Sequence, residues 1–80
     1  MDRTFLLDQL VRAEKDIAKD TQQLLRQRAI IEELEGKGQD ATYAQAVFRE
    51  LKQMQAVRIV DRDRMRRVLR SPPPALEADS

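Results

Sequence analysis

Leu10, Ile17, Leu24 and Ile31 stand seven residues apart in a polar segment that contains neither Pro nor Gly. Large aliphatic residues at that interval fall on one narrow stripe of an α-helix, and such a stripe is stable only against the stripe of another helix. Leu6, Ala13 and Leu34 occupy the complementary offset, where Asp20 and Gln27 interrupt the apolar pattern. An ideal helix slips relative to a seven-residue repeat, so these two polar residues are expected to border a seam that drifts toward Ala18 and Leu25. The alternative is that one of them is a buried polar residue that fixes the register of the pairing.

The pattern predicts a first helix over about 5–35, after a frayed 1–4 in which Asp2 or Thr4 can serve as N-cap. Gly36-Lys37-Gly38-Gln39-Asp40 then breaks the periodicity. Gly36 or Gly38 can take the left-handed conformation that ends a helix, and Asp40 is a natural N-cap for the next, with Thr42-Tyr43-Ala44-Gln45 as a competing capping box. A second helix is predicted over about 41–70. Its seam reads Ala44, Val47, Leu51 and Met54, is interrupted at Arg58 and Asp61, and resumes at Met65 and Val68, with Phe48, Val57 and Leu69 flanking.

A turn of five residues, 36–40, makes the helices antiparallel neighbours. Folding about Gly38 sets Ile31 level with Ala44, Leu24 with Leu51, Ile17 near Arg58 and Leu10 with Met65. In that arrangement Glu14 reaches Arg58 or Arg62, and Arg12 reaches Asp61 or Asp63, as exposed bridges worth about 0–1 kcal/mol each. Two helices of about 30 residues, each about 45 Å long, favour a coiled-coil hairpin over a compact globule. After Arg70, Pro72-Pro73-Pro74 stops the helix, and 71–80 should be an extended, disordered tail.

The fold class is therefore all-α, an antiparallel two-helix hairpin. Phe5, Tyr43 and Phe48 are its only aromatic residues, so two helices alone build a thin core and self-association into a four-helix bundle is the expected remedy. The predicted partner is a second copy in a homodimer, with room for a further protein partner.

Composition removes several chemistries. Without Cys or His there are no disulfides, no thiol or imidazole catalysis and no zinc finger. Ser71 and Ser80 have no base to activate them, and no Gly-rich loop follows a strand. No enzyme activity, cofactor or metal is expected. Glu32, Glu33 and Glu35 invite a metal reading, but the carboxylate di-metal pattern of helical bundles needs His, so they read as solvated side chains. The apolar run Phe5-Leu6-Leu7 is too short for a signal peptide or membrane span, and the chain reads as cytoplasmic.

Charge is plentiful and nearly balanced, 15 Lys and Arg against 14 Asp and Glu. The one local excess is Arg58, Arg62, Arg64, Arg66, Arg67 and Arg70, where six arginines meet only Asp61 and Asp63. Arg forks suit phosphate, so this end is the candidate polyanion-binding surface. Asp8, Glu14, Asp16 and Asp20 of the neighbouring helix supply counter-charge, and no aromatic is interleaved for base stacking. Nucleic acid is accordingly the disfavoured reading.

At Ala13-Glu14-Lys15-Asp16-Ile17-Ala18, Arg26-Gln27-Arg28-Ala29-Ile30-Ile31-Glu32-Glu33-Leu34-Glu35, Gly38-Gln39-Asp40 and Asp61-Arg62-Asp63-Arg64-Met65, the chain resembles a group of short proteins common in rhizobia and related α-proteobacteria. Their pattern has an Ile-Ala segment, an Arg-Gln-Arg run into Ile-x-Glu-Leu-Glu, a Gly-x-Asp turn, an Ala-rich second helix and a closing Asp-Arg-Asp-Arg-Leu. The resemblance spans about residues 10–70, and Met65 replaces the usual Leu. It implies a bacterial cytoplasmic helical hairpin and supplies no activity. The expected function is that of a small oligomeric module for protein interaction or structure. The alternative is a nucleic-acid-associated regulator.

Overall fold

The computed structural model describes residues 3–70, which form two helices and the turn between them. Helix α1 is Arg3–Gly36 and α2 is Thr42–Arg70. The first helix begins earlier than its periodicity suggests, with Arg3 and Thr4 inside it. Arg3 is held there from across the hairpin, its Nη1 donating to the Leu69 carbonyl at 3.0 Å. The predicted Pro-rich tail lies outside the described residues.

The turn follows from its residues. At the end of α1 the Gln39 N–H donates to the Leu34 carbonyl at 2.8 Å and the Gly38 N–H to the Glu35 carbonyl at 3.1 Å, the paired bonds of a Schellman stop. Gly38 carries the positive φ of 69° that this stop requires, which glycine adopts without a Cβ penalty. Two residues later Asp40 caps α2: its Oδ1 accepts the Thr42 N–H at 3.0 Å and the Thr42 hydroxyl at 2.7 Å. The competing capping box does not form, because the Gln45 side chain donates to Glu35 Oε2 at 3.0 Å instead.

The helices pack antiparallel along their length. Gln27 reaches the Ala44 carbonyl near the turn, Gln55 the Ile17 carbonyl midway, and Arg3 the Leu69 carbonyl at the open end. On α1 both seven-residue offsets face α2. Leu10, Ile17, Leu24 and Ile31 alternate with Leu6, Ala13, Asp20, Gln27 and Leu34, all half-buried except Asp20, which is buried. The seam does not drift: Ala18 and Leu25 face outward, and Leu25 is 62% exposed. Asp20 and Gln27 therefore sit inside the seam rather than beside it, each hydrogen-bonded there to one partner from α2.

On α2 the inner positions are Phe48, Gln55, Arg62 and Leu69 interleaved with Ala44, Leu51, Arg58 and Met65, and Ala41 just before the helix continues the first set. This corrects the expected hairpin seam. Met54 is 48% and Val68 53% exposed, and only Val47 of that offset is half-buried. The offsets through Phe48 and Gln55 and through Ala44 and Leu51 both meet α1, and the offset of Val47, Met54 and Val68 lies outside them. Ala41 and Ala44 are the only buried apolar residues among those described, and no large side chain is fully enclosed.

Candidate functional site

Three surfaces could carry function, and the middle of the seam is the most unusual. Asp20 is 7% exposed, and its Oδ1 accepts the Arg58 guanidinium at 2.7 Å. The other carboxylate oxygen, Oδ2, is buried with no hydrogen-bond partner among the described residues. Three residues before Arg58, toward the turn, Gln55 Nε2 donates to the Ile17 carbonyl at 3.2 Å and to the Thr21 hydroxyl at 2.8 Å. The polar interruptions of the two helices thus meet in one belt. Such a belt adds little net stability, since a buried ion pair barely repays the desolvation of its charges, but it favours the register in which every donor finds an acceptor.

The arginine end is largely neutralised from within. Arg58 is taken by Asp20, Arg62 bonds Asp63 at 3.0 Å, Arg66 bonds Glu14 at 2.6 Å, and Arg64 approaches Asp61 at 3.9 Å. Two expected bridges are corrected here. Glu14 pairs one turn further on than expected because Arg58 already serves Asp20, and Arg12 turns back to Asp8 on its own helix at 3.3 Å. Arg67 and Arg70 have no ionic partner among the described residues, and with Asp63 and Arg66 they line a shallow cleft of about 340 Å³. Four of the six arginines are thus engaged before any ligand arrives.

The third surface is apolar and faces outward. Among the described residues ten large hydrophobic side chains are at least 45% exposed. On one flank a groove of about 180 Å³ is lined by Leu24, Leu25 and Phe48, with Thr21, Arg28 and Lys52 at its rim. Arg28 and Lys52 lie 5.7 and 5.6 Å from the Phe48 ring centroid, within cation–π range. On the opposite flank α2 presents Met54, Val57 and Val68, at 48%, 62% and 53% exposure, and α1 adds Ile30 at 46%. Val47 is half-buried beneath them. Seven-residue periodicity alone does not separate this outward stripe from the inner one. The signal that could have done so is Arg58, which interrupts the inner α2 repeat in the layer where Asp20 interrupts α1.

Among the described residues no three His, Cys, Asp or Glu side chains are grouped to hold a metal ion. Of the three glutamates before the turn, Glu33 bonds Lys37 at 3.0 Å and Glu35 accepts from Gln45. Among the described residues no helix is long and apolar enough to cross a membrane. The Asp40 carboxyl titrates below its ordinary value, held down by the Thr42 hydroxyl and then by the Thr42 N–H. Compared with known protein families, curated proteins and solved structures, the chain matches none.

Proposed function

We propose that this chain is a small, non-enzymatic interaction module that works as a homodimer, two hairpins forming a four-helix bundle in the bacterial cytoplasm. The observation that carries the reading is the mismatch between the two sides of the helices. The hairpin fully encloses no large side chain, while ten large hydrophobic residues stay at least 45% exposed. Isolated exposed hydrophobic residues are ordinary on soluble proteins, but here they recur at helical spacing along whole faces. Covering the exposed halves of only four such side chains contributes on the order of 3–6 kcal/mol per copy, enough to decide whether a hairpin with so thin a core persists.

Sedimentation equilibrium of the full chain tests the proposal. A species of twice the chain mass that dissociates on dilution is expected, and a monomer at every concentration overturns it. The second reading, a nucleic-acid-associated regulator, draws on Arg67 and Arg70. It requires retention on DNA or RNA at low salt with an affinity that falls steeply as salt rises, and absence of retention dismisses it.

A further inference from the structure

The outward stripe of α2 has an internal symmetry that names its occupant. Val57, 62% exposed, lies midway between Glu50 and Arg64, each seven residues away and on the same line of the helix. The seven-residue interval places the two charges about 10 Å either side of Val57 along the helix axis. Glu50 is exposed and has no ion pair or hydrogen bond among the described residues, and Arg64 has only the 3.9 Å approach to Asp61. Nearer the centre, Met54 and Val60 are equidistant from Val57, at 48% and 53% exposure.

We propose that the dimer forms through this stripe, α2 against α2 of a second copy, antiparallel about a two-fold axis at Val57. This rests on the self-association reading above and deepens it. Across such an axis Val57 meets its own counterpart, Met54 of each copy meets Val60 of the other, and Glu50 of each stands level with Arg64 of the other. The surface is self-complementary, as an isologous interface must be. A parallel pairing sets Glu50 against Glu50 and Arg64 against Arg64, so the charges select the antiparallel one. The outward stripe of α1 offers no such selection: around Ala18 the residues seven away are Val11 and Leu25, both apolar.

The chain has no Cys, so single cysteines report proximity without background. In the full-length protein under mild oxidation, Val57→Cys is expected to form an intermolecular disulfide and Ala18→Cys is not. Glu50→Arg and Arg64→Glu are each expected to raise the dimer dissociation constant about tenfold at low salt by opposing like charges twice, and the combined variant to restore it. All four substituted positions lie on the outer face, and far-UV circular dichroism checks that the helices persist. A dimer that cross-links through Ala18→Cys and not Val57→Cys overturns this interface while leaving self-association intact. So does a combined charge-swap variant that dimerises no better than the single ones. A wild-type monomer at every concentration overturns both proposals.

Discussion

Asp20 and Arg58 can be removed one at a time, and the two removals should have opposite consequences. Asp20 is 7% exposed with one oxygen bonded to Arg58 and the other unpartnered, whereas the Arg58 side chain is 40% exposed. Arg58→Met takes away the one partner that the described residues give this buried carboxylate. Breaking a buried pair from one side costs about 3–5 kcal/mol, and the water that already reaches Arg58 reduces that to about 2–3 kcal/mol here. Asp20→Leu removes the unpartnered oxygen, continues the aliphatic seam of Ile17 and Leu24, and leaves behind a guanidinium that can turn into solvent. Replacing a buried ion pair with apolar residues is often stabilising by 1–4 kcal/mol, and because only one partner changes, a gain of about 1 kcal/mol is expected. Urea denaturation followed by far-UV ellipticity measures both, at one fixed chain concentration because association is linked to folding. If Asp20→Leu were as destabilising as Arg58→Met, the pair would be a net source of stability and the reasoning would fail.

The two glycines of the turn should respond differently to alanine. Gly38→Ala forces a Cβ into a φ of 69° and should lower stability by about 1 kcal/mol, while Gly36→Ala, in α1 with open space around it, should be neutral or raise the thermal midpoint slightly. Leu24→Asp places a charge in the half-buried seam and should cost more than about 3 kcal/mol, abolishing helicity; full helicity in that variant would refute the seam. Asp40 titrates below its ordinary value of 3.8 when folded, so its cap is complete above that pH and is lost as pH falls through the lower folded value. The gap in thermal midpoint between wild type and Asp40→Ala should be constant near neutral pH and shrink in acid, and a gap that widened in acid would reverse the assignment.

The hairpin was legible because three local signals agreed: the repeat through Leu10 and Ile31, the glycine pair, and Asp40 as a cap. The α1 stripe is half-buried against α2, and the place of Asp20 and Gln27 within it was legible only as the alternative to their bordering it. Whether Asp20 borders or enters a seam depends on what stands opposite, and Arg58 enters that layer only through the register of the finished pair. On α2 the ambiguity is physical. The offset of Ala44, Leu51 and Met65 and the offset of Val47, Met54 and Val68 share one periodicity, and a single helix does not reveal which will meet its partner. The packing against α1 resolves them into an inner and an outer stripe. The arginine end was legible as a charge excess, but its neutralisation was not, because long Arg side chains choose among carboxylates within reach only once the helices are in place.

Dependence of stability on concentration tests self-association most directly. The thermal midpoint of the full chain, followed by helicity over about a hundred-fold range of chain concentration, should rise steadily with concentration if the hairpin is completed by a second copy. A midpoint independent of concentration would mean that the hairpin holds its fold alone with its apolar stripes exposed, and would contradict the dimer.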